Sequence, residues 1–423
     1  MKLFLKNIGK IAEATVEIKG ISVIAGENNT GKSTVGKALF SVFNSFYKIQ
    51  EQILQERINS IVNILQLIYR NVYFQFFERR NIYEFARDIL NKENEYKKEP
   101  GTLINEIYSM LDFPFGDSKV ISEKSNIEDI ANRIIEILKI SDDDIFQSVI
   151  SKKMNSEFNG QPLNIYSKSD GKIILNIKGQ ELIIKVSKEA VSADDTGYSL
   201  NTEAIYIDDP LVLDEIDNRM VVRNQNYLDH RMQLESKLLE GENNTNVVEE
   251  IVVENKFKKI YEKLLPVCNG NIVVQKNKHI GYQLDNQDRA LSVKNLSTGL
   301  KTFAILKTLI TNGAIKDNGT IILDEPEIHL HPKWQLLFAE LIVLLHKEFG
   351  MHILLNTHSP YFLRAIQVYS AEYEVSDMCK YYLSETGEEG EAYINDVTNS
   401  IDKIYEKLST PLQWLENKRW SND

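Results

Sequence analysis

Cysteine is almost missing from this chain, with two among 423 residues, Cys268 and Cys379. They lie far apart and without CxxC spacing, which excludes a disulfide framework and a cysteine zinc cluster and points to a reducing, cytoplasmic setting. No apolar run approaches the roughly 18 to 20 residues that span a bilayer, so no membrane segment is expected. The opening Met1-Lys2-Leu3-Phe4-Leu5-Lys6-Asn7-Ile8 alternates apolar and polar residues, unlike a continuous apolar leader, and reads as a first strand. Positive charge is scarce: 49 Lys and Arg face 61 Asp and Glu, for a net charge of -12. That balance argues against a surface that binds nucleic acid throughout, because phosphate affinity rests on clustered Lys and Arg. A local basic groove, and with it DNA as a partner, stays open. Internal repeats are lacking too. What is present is ordinary, 43% hydrophobic and 26% charged residues, enough for a packed core. The length suggests a head with an insertion rather than one domain.

Residues 2–25 read as short strands closing on the apolar run 21–25, and a glycine turn and a helix follow. A mostly helical stretch, broken near Pro100-Gly101 and around 114–116, then leads to a hairpin over 172–187 turned at Lys178-Gly179-Gln180, and to a strand ending at Ile207. A charged helical stretch runs to about Leu265, with 240–246 as a candidate mobile loop. Strands with turns at Gly281 and Asn286 follow, and helix and strand alternate from Leu296 to Asn356. Gly26 to Ser33, the glycine turn after that first apolar run, fits a phosphate-binding loop, so the expected organisation is α/β, a P-loop NTPase head split by a large, mainly helical insertion with a β-hairpin. Its parts are the first piece of the head (1–48), the helical insertion (49–165), the hairpin and return strand (166–212), a helical arm (213–265) and the second piece of the head (266–423).

Gly26-Glu27-Asn28-Asn29-Thr30-Gly31-Lys32-Ser33, followed by Thr34, fits G-x-x-x-x-G-K-[ST] between an apolar strand and a helix. Its glycines let backbone N–H groups curl around phosphate oxygens. The helix N-terminus adds a favourable field, Lys32 reaches the β- and γ-phosphates of ATP, and Ser33 ligates Mg²⁺. Thr320-Ile321-Ile322-Leu323-Asp324-Glu325 is an apolar run ending in two carboxylates, suited to a buried strand that delivers acids to the edge of a parallel sheet. Adjacent acids alone are more often a solvated turn. Beside a P-loop, Asp324 is expected to hold Mg²⁺ and Glu325 to orient or deprotonate the attacking water.

Asn295-Leu296-Ser297-Thr298-Gly299-Leu300-Lys301 resembles the ABC signature written L-S-G-G-Q, with Thr298 in place of the first glycine and Leu300 in place of glutamine. A plain serine N-cap of a core helix would also satisfy these residues. Asn356-Thr357-His358-Ser359-Pro360 is similar to the switch-histidine motif of ABC ATPases, and Asp324-Glu325-Pro326-Glu327-Ile328-His329-Leu330-His331-Pro332 is similar to the OLD-like, RecF-like and SMC-related branch. The resemblance covers residues 1 to about 45 and 290–365. It implies a head-to-tail homodimer or higher oligomer with ATP between heads. In it Lys32, Glu325 and His358 are catalytic, His358 senses the γ-phosphate, and Ser297, Thr298 and Gly299 grip ATP bound to the other subunit. His329 and His331 lack a third ligand for a metal and are better read as an interface loop coupling two ATP sites.

The stretch after His358 leaves no room for the nuclease domain that OLD nucleases carry, so the resemblance implies a separate effector polypeptide, a nuclease being one candidate. Stand-alone ATPases of this kind often belong to prokaryotic anti-phage systems. Other readings are a RecF-like DNA repair clamp, a transporter ATPase subunit, against which the long stretch between Ser33 and Leu296 counts, and a non-hydrolysing interaction protein. The family's Q-loop glutamine has no obvious counterpart, since Gln50, Gln66 and Gln75 all sit in helical context. Tyr69, Tyr73, Phe76 and Phe77 fit a core face better than a base-stacking strip. Asp208, Asp209, Asp214, Glu215 and Asp217 fit a solvated turn and helix start better than a metal site. Ser141 with Asp142, Asp143 and Asp144 reads as a helix N-terminus.

Overall fold

The computed structural model describes residues 1–71, 79–111, 120–216, 229–239, 247–275, 279–285 and 287–420. They form two compact units, Lys48–Val149 and the remainder, Met1–Tyr47 with Ile150–Asp423. The strands are β1 (Lys2–Ile8), β2 (Ile11–Glu17), β3 (Ile21–Gly26), β4 (Gly171–Ile177), β5 (Gln180–Val186), β6 (Val191–Ala193), β7 (Ala204–Ile207), β8 (Gly270–Val274), β9 (Ile280–Leu284), β10 (Leu291–Ser292), β11 (Thr320–Asp324), β12 (His352–Thr357), β13 (Cys379–Thr386) and β14 (Ala392–Asp396). The helices are α1 (Lys32–Phe46), α2 (Ile49–Asn71), α3 (Arg79–Asn91), α4 (Glu93–Lys98), α5 (Pro100–Leu111), α6 (Val120–Lys139), α7 (Asp142–Glu157), α8 (Val212–Glu215), α9 (His230–Leu239), α10 (Val247–Leu264), α11 (Thr298–Thr311), α12 (Pro332–Phe349), α13 (Pro360–Glu372) and α14 (Asp402–Trp420).

The larger unit is built on a mixed sheet in the order β6-β5-β4-β1-β2-β14-β13-β3-β12-β11-β7. Strands β13, β3, β12, β11 and β7 run parallel to their neighbours in that order. Parallel strands buried on both faces read as continuous apolar runs, and β3 and β11 are buried along their whole length. The parallel register brings the C-terminal ends of β3, β12, β11 and β7 to one edge, where Asp324 pairs with Asn356 and Leu323 with Ile207. That edge is where ligands bind in open α/β sheets.

The hairpin of β4 and β5 turns at Lys178 and Gly179, both at positive φ, 51° and 85°. It belongs to the head itself, because β4 pairs antiparallel with β1. The stretch expected as a helical arm packs into the head core: Leu234 and Leu238 of α9 and Phe257, Ile260 and Leu264 of α10 are buried with Phe303, Phe338 and Leu355. Gly281 lies inside β9, paired with Val273, and is not a turn. Strand β13, which contains Lys380-Tyr381-Tyr382-Leu383, pairs with the P-loop strand β3.

The unit Lys48–Val149 has its own apolar core, in which Ile58, Ile61, Leu65, Ile89, Leu103, Ile134 and Leu138 are buried. The division falls within α7, so the self-contained insertion is shorter than the helical stretch read from sequence. Lys153 of α7 already bonds the head, donating to the Asn44 carbonyl at 2.6 Å. Ser141 caps α7, accepting from the Asp144 N–H at 3.0 Å. The break around 114–116, the loop 240–246, Asn286, Asp217 and the aromatic stretch around Tyr73 lie outside the described residues.

Candidate functional site

The Gly26 to Ser33 loop joins β3 to α1. Gly31 has φ 84°, the left-handed turn that lets the chain swing from strand into helix, and α1 has no acidic residue in its first turn. Its N-terminal field is therefore available to an anion. Lys32 is only 4% exposed, and its ammonium donates to the Gly26 carbonyl at 3.1 Å and the Glu27 carbonyl at 2.7 Å. Asn28, Asn29 and Ser33 are exposed, while Thr30 is buried and donates to the Glu27 carbonyl at 2.8 Å. Thr34 stands half-buried in the first turn of α1. Ser384 of β13 donates to the Thr30 carbonyl from behind the loop, a support that local sequence gives no sign of.

Asp324 ends β11 and is 9% exposed. Its carboxylate accepts from the Asn356 amide of β12 and from the Tyr206 hydroxyl of β7, both at 2.9 Å. Two neutral donors fix its orientation and leave its charge unspent. Glu325 follows at φ 49°, a left-handed conformation uncommon for a residue with a side chain. Its N–H donates to the Asn356 carbonyl at 2.9 Å. The Glu325 carboxylate lies 3.1 Å from Lys32 Nζ through one oxygen and 3.3 Å from His358 Nδ1 through the other. His358, and then Lys32, hold the Glu325 carboxyl below its usual range, and Glu325 raises the imidazole pKa of His358. Glu327 is buried, accepts from the Thr357 hydroxyl and, at 3.3 Å, from the His358 N–H, and burial pushes its pKa up.

Residues the sequence set aside stand behind Asp324. Asp208, directly after β7, is not a solvated turn: it pairs with His230 at 3.1 Å and Arg231 at 2.7 Å. Burial works against charge on both Asp208 and His230. Their contact outweighs it, with Glu157 on the far side of the ring, so the His230 pKa rises to about 9 and that of Asp208 falls to about 2. Asp214 likewise pairs with the buried Lys301 of α11 at 2.7 Å. The β7 end, next to Asp324, thus carries an aspartate, and Gln50 and Gln66 lie in α2 of the other compact unit.

Ser297 caps α11, its hydroxyl accepting from the Leu300 N–H at 3.4 Å. With Thr298, Gly299, His329, His331 and Trp334 it lines a concavity of about 440 Å³ that no P-loop residue shares. His331 also caps α12, Nδ1 accepting from the Lys333 N–H at 3.3 Å, and no cluster of three or more metal-ligating side chains exists among the described residues. The structure thus brings together Lys32, Asp324, Glu325 and His358, and sets Ser297, Thr298 and Gly299 in a concavity that none of those four lines.

The donor chemistry fits ATP with Mg²⁺: a buried lysine, a helix N-terminus free of acids, an exposed Ser33 and an oriented Asp324 with no cationic partner among the described residues. Among the described residues no helix is long and apolar enough to cross a membrane. Among solved structures, the chain is similar to an SMC head domain from Thermotoga maritima, with 12% identity, TM-score 0.38, and 94% of this chain and 98% of that one covered. An SMC head domain with an extended coiled coil, bound to the C-terminal domain of ScpA derived from Pyrococcus furiosus, matches at 12% identity and TM-score 0.42, covering 99% and 98%. A curated relative, the retron Vc95 probable ATPase of Vibrio cholerae serotype O1 biovar El Tor, is 27% identical over 145 residues, 31% of this chain. That match spans only 28% of the relative's length. The family of AAA ATPase domains matches residues 1–363. With the P-loop, the acid pair and the parallel sheet edge in place, the chain belongs to that family and is a P-loop ATPase.

Proposed function

We propose that the chain hydrolyses ATP with Mg²⁺ between two copies arranged head to tail, as a sensor or scaffold that controls a separate effector polypeptide in anti-phage defence. The observation that carries the chemistry is Glu325, set between Lys32 and His358 and one residue beyond Asp324. Bound Mg²⁺ would neutralise phosphate charge, with Ser33 and Asp324 as its holders. Residues 26–34 bind the phosphates through backbone N–H groups and Lys32. A γ-phosphate competes with Glu325 for Lys32 and His358, and Glu325, once displaced, is free to take the proton of the attacking water. His358 then senses whether the γ-phosphate is there.

The head-to-tail arrangement is supported by the separation of the two surfaces. Ser297 at an exposed helix N-terminus, with no acid in the first turn of α11, is a second anion-binding end without a P-loop of its own. A second head would supply that phosphate. The defence role rests on the likeness to the retron probable ATPase and on the compact inserted unit, which offers a surface for an effector.

The test is the mass in solution of wild type and Glu325→Gln, with and without ATP and Mg²⁺, alongside phosphate release. ATP should drive the Gln variant into a larger species while only wild type releases phosphate. Equal phosphate release by the two proteins would sink the catalytic assignment. A mass that never responds to ATP would sink the ATP-driven engagement.

A further inference from the structure

Tyr206 belongs to none of the nucleotide motifs, yet its hydroxyl meets the carboxylate on which the metal site rests. The side chain is 1% exposed, so the hydroxyl is shielded from water and its proton is directed to the protein. Besides donating to Asp324 at 2.9 Å, the hydroxyl lies 3.5 Å from the Ser33 carbonyl, between the start of α1 and the end of β11. Helix α1 makes room for it. At Gly36 a Cβ would sit 3.1 Å from the Tyr206 hydroxyl and 3.0 Å from Ile322. A glycine inside a helix is costly, and this close approach accounts for it.

The ring is fixed as firmly as the hydroxyl. It stacks on His230, ring centroids 4.3 Å apart and planes 24° from parallel, with Phe40 closing the side at 6.2 Å. His230 is flanked on both sides of its ring by carboxylates, with Nδ1 2.7 Å from Glu157 of α7 and Nε2 3.1 Å from Asp208 at the end of β7. Glu157 also accepts the His230 backbone N–H at 3.0 Å, and Arg231 donates to Asp208 at 2.8 Å. A cationic imidazole against a phenol face adds cation–π attraction to the stack.

We propose that Tyr206 is a positioning residue for the magnesium-holding carboxylate of Asp324, its ring set by His230 clamped between Glu157 and Asp208. This rests on the reading of Asp324 as a Mg²⁺ holder. Asn356 and Tyr206 approach the carboxylate from the two neighbouring strands, one donor to each oxygen, so that both must be present for the plane of the group to be defined. A carboxylate free to rotate would still bind the cation, less tightly and with a spread of geometries.

The experiment is Mg²⁺ titration of ATPase activity in Tyr206→Phe, which keeps the ring and its stack and removes only the donor. The Mg²⁺ concentration for half-maximal turnover should rise roughly tenfold, the loss of one hydrogen bond to a charged group. Turnover at saturating Mg²⁺ should recover most of its wild-type value, and ATP binding without Mg²⁺ should be unchanged. Gly36→Ala, which crowds the same hydroxyl, should shift the titration in the same direction. An unchanged Mg²⁺ midpoint in Tyr206→Phe overturns the proposal, whether or not turnover or thermal stability falls. Asp324→Asn separates the two claims: if it retains Mg²⁺-dependent turnover, the reading of the site fails. If it abolishes turnover while Tyr206→Phe leaves the midpoint in place, only the positioning role fails.

Discussion

Replacing Glu325 by Gln should tighten ATP binding while blocking hydrolysis. Glu325 spends its charge on Lys32 at 3.1 Å and His358 at 3.3 Å, and on the proposed mechanism the γ-phosphate takes both partners away from it. Hydrogen bonds to charged groups contribute roughly 1.5–3 kcal/mol and neutral ones about 1 kcal/mol. Glu325 is partly open to solvent, so the lower end applies, and neutralising it removes about 1–2 kcal/mol of competition, a roughly 5- to 30-fold gain in affinity. ADP, which brings no γ-phosphate to those groups, should gain much less. Engagement of two heads would also tighten apparent binding by mass action, so the comparison belongs in a Ser297→Arg background, with titration calorimetry in the presence of Mg²⁺. The same substitution should lower the imidazole pKa of His358, because Glu325 is the main group raising it. Equal gains for ATP and ADP, or weaker ATP binding with hydrolysis blocked, would refute the competition.

Lys32→Ala should abolish nucleotide binding, since Lys32 is the one cationic side chain of the Gly26 to Ser33 loop; equilibrium binding with a fluorescent ATP analogue checks it, and retained affinity would remove Lys32 from the site. Ser297→Arg should stop turnover and ATP-driven mass increase while monomeric heads still bind ATP, and a loss of binding would mean that the signature does not act across the interface. The His230 clamp makes stability depend on pH: with its pKa about 9 in the fold against 6.5 for a free side chain, its contribution is complete below about 6.5 and is lost as pH rises through about 9. That difference is worth up to about 3 kcal/mol, visible as a falling urea midpoint between pH 6.5 and 9.5 in wild type and absent in His230→Ala; an identical slope in both proteins would exclude the clamp as its source.

The nucleotide motifs were legible because phosphate chemistry demands fixed residue types at fixed spacing next to one strand and one helix, and Gly26 to Ser33, Asp324, Glu325 and His358 all arrive at one sheet edge. What the sequence hid was pairing. The hairpin of β4 and β5 was readable from alternation and turn chemistry, yet nothing local says that β4 joins β1. Asp208 and Asp214 looked like a solvated acidic turn because a sequence shows a charge without its counter-charge. Their partners His230, Arg231 and Lys301 arrive from distant helices. Strand β7 is short enough to pass as any apolar tetrad, and only its place beside β11 turns Tyr206 into a contact of Asp324.

Three acids within four residues, Asp324, Glu325 and Glu327, read alike in sequence and are separated by what holds them. Asp324 is held by an amide and a phenol, neutral donors that orient a charge without consuming it, which suits a cation still to be bound. Glu325 is held by a lysine and a histidine that an incoming anion can claim, which suits a group released when that anion arrives. Glu327 is buried, and one carboxyl oxygen accepts from Thr357 and the His358 N–H while the other has no partner among the described residues; burial pushes its pKa up, and the contacts tie the end of β12 to the turn after β11. Environments that pull neighbouring carboxylates apart in this way set the three acids apart, and on the proposed function Asp324 holds the metal, Glu325 is the base and Glu327 is a brace. The division predicts that Glu327→Gln, which preserves the hydrogen-bonding shape, should leave turnover within a few-fold of wild type, whereas Glu325→Gln stops it; matching losses in the two variants would show that the carboxylates share one role.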